Sequence, residues 1–312
     1  MTELLYGIAV APFKDMAGSP AFFAEVLIGG VFAGLMYSLV ALGFVLIFKA
    51  SGVFNFAQGA MVLFAALTLV GLIERGVPVA LALVLTTAVM VALAWVIERV
   101  VLRPLVNQEH IILFMATIGL TFFLEGFGEM VWGANVKKLD IGIPDRSFIV
   151  AGIQINQLEL SAAVTSAVLV AVLAVFFQRT RIGRALRAVA DDHEAALSIG
   201  IPLKTSWMIV WSVAGIVAIV AGIMWGAKSG VQFSLSLIAL KSLPVLILGG
   251  FTSVPGAIVG GLIIGVGEKM GEVYWGPLVG GAIENWFAYV LALAFLLFRP
   301  QGLFGEKIIE RV

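Results

Sequence analysis

Cysteine is absent from the 312 residues, so disulfide scaffolds and thiolate metal sites are excluded. Histidine occurs only as His110 and His193, and no H-E-x-x-H, G-x-S-x-G or paired-aspartate motif is present. Charge is scarce, at 12% of residues against about 25% in soluble domains. Lys+Arg and Asp+Glu balance at 19 each, which leaves no basic surface for nucleic acid. A phosphate-cradling G-x-x-x-x-G-K-[ST] loop is missing, so any ATP-driven work requires hydrolysis on another chain. The opening MTELLYGIAVAPFKD lacks the basic start and long apolar core of a cleaved leader, and the first span, near Phe22, is expected to be retained as the insertion signal.

What fills the chain is apolar: 61% hydrophobic residues with 35 glycines, and a mean hydropathy of +1.10. A bilayer core of about 30 Å needs about 20 apolar residues of helix. Runs of that kind fall at 22–48, 57–73, 78–97, 111–132, 158–178, 206–226, 237–250, 255–268 and 284–298. The fold expected is all-α, a polytopic transmembrane helical bundle of about eight to nine membrane segments. An N-terminal extension, 1–21, precedes a single transmembrane domain, 22–312. Arg179, Arg181, Arg184 and Arg187 crowd one loop, and Arg299, Lys307 and Arg311 follow the last span, so both regions are assigned to the cytoplasm. That assignment needs an even number of crossings between 237 and 268, as two spans or a re-entrant pair, and leaves 133–157 and 269–283 outside. Alternation around Ile141–Pro144 and Phe148–Gly152 predicts a short β-hairpin in the external loop.

Polar residues inside such a chain are the candidate functional positions. Asn55 and Gln58, beside Gly59, either line a polar path or cap the second span. Thr117 and Glu125 are eight residues apart and share a helix face, and a carboxylate within a span is costly enough to point to function. Gly30/Gly34, Gly222/Gly226 and Gly256/Gly260 are small-residue pairs that let helices approach closely. In the loop 179–205, Leu186, Val189, Ala190, His193 and Leu197 form one apolar stripe, which must meet either the bundle's own cytoplasmic face or a partner protein. Phe54-x4-Gly59-Ala60 and Phe251-x4-Gly256-Ala257 share a pattern at two turns, a faint sign of duplication.

The run Gly183-Arg184-Ala185-Leu186-Arg187-Ala188-Val189-Ala190-Asp191-Asp192-His193-Glu194-Ala195-Ala196-Leu197-Ser198-Ile199-Gly200-Ile201 resembles the coupling loop of ABC-importer permeases for branched-chain amino acids. The likeness extends to Ser51–Gly59, Ala116–Leu120, Gly249–Gly261 and Phe298–Gly305, in order. It implies a type II-like permease of the bacterial inner membrane, paired with a second permease subunit, two ATP-binding subunits and an external solute-binding protein. This chain would bind no cofactor, with ATP and Mg held on the partner ATPases. Arg184, Ala188, Asp191, Glu194, Ala195, Ala196 and Gly200 would couple to the ATPase, and Asn55, Gln58, Gly59, Thr117 and Glu125 are the translocation-path candidates. Branched-chain amino acids are the expected cargo, with urea and short amides as the alternative. A proton-coupled secondary transporter using Glu125 or Glu268, and a membrane scaffold docking a partner through the stripe, are the competing readings.

Overall fold

The computed structural model describes Tyr6 and residues 8–105, 108–191 and 193–305. A short helix, α1 (Ala11–Gly18), leads into α2 (Pro20–Ser51), whose 32 residues reach about 48 Å at 1.5 Å each. Proline at its first position tolerates the missing amide, and Gly52 in the left-handed conformation stops it, with its N–H bonded to the Phe48 carbonyl. The other spans are α3 (Gln58–Glu74), α4 (Val79–Val96), α5 (His110–Trp132), α6 (Gln157–Arg179) and α9 (Leu203–Ser229), then α10 (Ile238–Gly249), α11 (Val254–Met270) and α13 (Phe287–Phe298). Between them lie the short α7 (Arg181–Asp191), α8 (His193–Ser198) and α12 (Gly276–Val279). Among the described residues, six segments are long and apolar enough to cross a bilayer, and three more, 58–74, 233–249 and 287–298, are apolar but shorter. The protein is an integral membrane bundle, and the nine apolar runs in the sequence each correspond to one of these segments.

The second segment is short because its beginning is not helical. Residues 53–57 double back beside α2, with the Phe54 ring stacked on Phe44 at 5.1 Å. α3 therefore starts at the level of Gly43, eight residues or about 12 Å before α2 ends. The turn 250–253 makes the matching approach from the other half of the chain, and its Phe251 ring meets Phe54 edge-on at 6.2 Å. The two phenylalanines that share a sequence pattern are thus in contact.

Segment 237–268 is a helical hairpin, α10 descending and α11 returning. Pro244 lies inside α10 and cannot bond the Leu240 carbonyl, and the Tyr289 hydroxyl of α13 donates to that oxygen instead, at 2.6 Å. The ending Phe298–Gly305 folds back so that the Leu303 and Phe304 amides cap the Leu248 and Gly249 carbonyls at 2.8 and 3.2 Å. α11 opens on Ser253, whose hydroxyl accepts from the Gly256 amide at 3.0 Å.

The external loop carries a two-residue hairpin, but not where alternation alone put both strands. β1 (Ser147–Val150) pairs with β2 (Ile153–Asn156), and Ala151 and Gly152 turn between them with φ of 51° and 81°. Residues 141–144 are outside the ladder, where Pro144 would offer no amide. Lys137 pairs by backbone with Val231 and by charge with Glu74, while Trp275 binds the Ile8 carbonyl. The first two contacts place 74, 137 and 231 at one end of the bundle. The opposite end gathers Lys49, Arg187, Thr252 and Phe304 around one cavity, so the arginine-rich loop and the 250–253 turn share a side, the one that the positive-inside rule expects to face the cytoplasm. Ser198 is exposed there and Ile149 is 75% exposed on the hairpin. In this cysteine-free chain, Ile149→Cys is expected to react with an impermeant maleimide in intact cells and Ser198→Cys only in inverted vesicles; the reverse pattern would invert the topology.

Candidate functional site

The short helices α7 and α8 fold back on the bundle. Thr180 starts α7 by accepting the Gly183 amide on its hydroxyl at 2.9 Å, and Gly183 lies against the backbone of Phe176 and Phe177, where any β-carbon would collide. Arg184 and Arg187 donate to the Arg179 and Gln178 carbonyls at 3.2 and 3.4 Å, so both are tied to the end of α6. Gly200, at φ 85°, closes α8 as Ile201 bonds back to Ala196.

The apolar stripe is divided. Leu186 and Val189 are 3% and 0% exposed, and Ala196 is 2% exposed, so this part packs on the chain itself. Ala188 is half-buried, whereas Arg184, Ala195 and Gly200 are exposed, as are Leu197 (51%) and Ile199 (73%). The face open to a partner is therefore Ala195–Gly200, and Ala196, grouped with it from sequence, belongs to the inner side. The side chains of Ala190, Asp191, His193 and Glu194, and Asp192 entirely, lie outside the described residues.

The path candidates separate in the same way. Asn55 accepts the Ala57 amide at 3.1 Å and points its side-chain amide at Gln58 Oε1 at 3.4 Å, which stabilises the turn just ahead of α3, whose N-terminal residue has no side-chain cap. Thr117 accepts the Phe56 amide at 3.1 Å and lies 2.8 Å from the Phe114 carbonyl and 3.2 Å from that of Phe54. Asn55, Gln58 and Thr117 are all 0% exposed, and Gly59 is packed against Ser236 and Ala239. Asn55 and Thr117 bond to the backbone of the non-helical 54–57 segment and hold it in place, since an unpaired peptide group in the bilayer costs several kcal/mol. Gln58 Nε2 has no hydrogen-bond acceptor among the described residues. Glu125 is different. It is half-buried and lines a small cavity of about 70 Å³ with Phe56, Thr121, Ser236 and Leu237.

Across Leu237 lies a second cavity, of about 280 Å³, bordered by Trp225, Ser229, Ser234, Ile238 and Lys241. Lys241 lies in the first turn of α10, as its fourth residue. Its ammonium is 3.5 Å from Glu268 of α11 and 3.9 Å from Glu284. The Tyr37 hydroxyl donates to Glu268 at 2.8 Å, and the Tyr37 ring stacks on Trp225 at 5.4 Å. Glu272 shapes the nearby turn by accepting the Ala282 and Glu284 amides at 3.0 and 2.9 Å. The sequence reading named Glu268 only as a proton site for a rival carrier, and passed over Lys241. A lysine within an apolar run was the available signal.

Among the described residues, no group of three or more metal-binding side chains occurs. What the geometry provides is a membrane bundle with a small, mostly apolar cavity between α5 and α10 that Glu125 lines, and two short helices tied to the end of α6 with Leu197 and Ile199 exposed. The chain is 27% identical over 310 residues to the high-affinity branched-chain amino acid transport system permease protein LivH of Salmonella typhimurium, covering 93% of this chain and 98% of that one. It is 28% identical over 309 residues to the corresponding protein BraD of Pseudomonas aeruginosa, with the same shares of the two chains. A probable branched-chain amino acid transport permease protein of Methanocaldococcus jannaschii is 27% identical over 90% of this chain and 92% of its own. Residues 26–299, nearly the whole bundle, match the model of one family, and the chain belongs to that family, the permease component of the branched-chain amino acid transport system.

Proposed function

We propose that this inner-membrane chain forms the translocation path of an ATP-driven importer for leucine, isoleucine and valine. It works beside a second permease, with two ATP-binding subunits on the cytoplasmic side and a solute-binding protein outside. ATP and Mg are held by the ATP-binding subunits, and this chain contributes no catalytic site of its own. The observation that carries the reading is the exposed edge Ala195–Gly200 on two short cytoplasmic helices, in a chain whose family is a transport permease. α7 is anchored to α6 through Thr180 and the two arginines, so a push on that edge is delivered to a membrane helix rather than absorbed by a loose loop. Alternating access then requires that helix faces slide, and the glycine contacts between α2 and α11 provide smooth ones.

A proton-coupled carrier is not favoured, and urea or short amides have less support than branched-chain amino acids. The test is uptake by proteoliposomes holding the importer purified through this chain, with its binding protein outside and ATP inside. Labelled leucine is expected to accumulate only with ATP and binding protein together. Accumulation without ATP, or of urea in preference to leucine, would sink the reading.

A further inference from the structure

Lys241, Glu268 and Glu284 form a charged cluster where the first turn of α10, the last turn of α11 and the segment leading into α13 meet. An ion pair with one buried partner is often replaceable by apolar groups without loss of stability, so a buried Glu268 paired with a half-open Lys241 beside a cavity is a candidate for a use beyond packing. Three features give that use a chemistry. First, the cluster is unbalanced: one ammonium faces two carboxylates, leaving one negative charge for a cation to neutralise. Second, it is half-open, with Lys241 31% and Glu284 42% exposed while Glu268 is 8% exposed and fixed by Tyr37. Third, Lys241 borders the 280 Å³ cavity whose other walls include Trp225, Leu235, Leu237 and Ile238, an apolar surface suited to an aliphatic side chain.

We infer that this cluster recognises the zwitterionic head group of an α-amino acid in transit, Lys241 receiving the carboxylate and Glu284 the ammonium. Glu268, held by Tyr37, keeps Lys241 charged and aimed when the ligand is absent. The longer Lys241–Glu284 separation, 3.9 Å, is the one a ligand would open. The inference rests on the importer reading and names the residues that would act on its cargo.

The experiment uses the same proteoliposomes, with leucine as the probe and permease abundance and co-purified ATPase measured alongside. Lys241→Met and Glu284→Gln are each expected to lower leucine uptake by roughly tenfold or more, the worth of one hydrogen-bonded charge, at unchanged abundance. Lys241→Arg is expected to retain most uptake. The double variant Lys241→Met with Glu268→Gln separates recognition from support. A purely structural ion pair tolerates loss of both partners, so recovered uptake in the double variant overturns the inference, and uptake that stays low supports it. Single variants that transport like the wild type overturn it too, as does a loss that only follows permease abundance. A wild-type importer that takes up no branched-chain amino acid overturns the importer reading, and this inference with it.

Discussion

Ala195→Asp is expected to abolish leucine uptake and the co-purification of the ATPase while leaving the permease inserted at normal abundance. Ala195 is exposed at the cytoplasmic end, on the edge that continues through Leu197 and Ile199. A carboxylate on this exposed position adds no bulk to the packed core of the bundle, so insertion at normal abundance is expected. Once a partner covers the edge, the same carboxylate is buried without a counter-ion, which costs about 2–5 kcal/mol, or roughly 30-fold to several-thousand-fold in affinity. Ala196→Arg is the contrasting variant. Ala196 is 2% exposed within this chain, so the guanidinium has no room, and the expected result is misfolding and low abundance. The two neighbouring positions thus separate docking from folding. Ala195→Asp with full ATPase retention and active uptake would show that the edge is not where the stroke is received.

The contrast between those positions shows what periodicity leaves open. Three- and four-residue spacing identified Leu186, Val189 and Leu197 as one stripe, because an amphipathic helix must hide its apolar face. Spacing carries no information about which surface does the hiding, and the structure gives Leu186 and Val189 to the bundle and leaves Leu197 outside. The nine apolar runs were legible for the opposite reason: a bilayer accepts little else, so composition alone locates them. The shortness of α3 was less so, since Asn55, Gln58 and Thr117 looked like polar residues awaiting a solute. The hydrogen bonds of Thr117 to Phe54 and Phe56 exist only once the segment has doubled back against α5. Tyr37 and Glu268 are 231 positions apart. No local pattern pairs them, although each alone, as a polar group within an apolar helix, marked a place to look.

Gly34→Val is expected to remove most of the properly folded permease, and with it transport, although no charge or catalytic group is touched. α2 and α11 meet backbone to backbone: a β-carbon at Gly34 would lie 2.9 Å from Leu262 Cα, and one at Gly30 2.7 Å from Val266 Cα. Neither neighbour is a flexible side-chain end that can swing away, so the helices themselves must part. Lipid supplies no hydrophobic force to push them together again, because membrane helices associate through van der Waals contact at small residues. Overpacking of a tight site costs about 1–3 kcal/mol even in soluble cores, where side chains can adjust. The same separation would pull the Tyr37 hydroxyl, three residues along α2, from its 2.8 Å bond to Glu268 on α11, and so loosen the charged cluster at Lys241. Gly126→Ala is the control, since a β-carbon there has no atom within 4 Å. The measurement is the fraction of monodisperse permease in detergent and its melting temperature. A sharp fall for Gly34→Val beside an unchanged Gly126→Ala is expected, and equal behaviour of the two would mean that α2 and α11 do not depend on this contact.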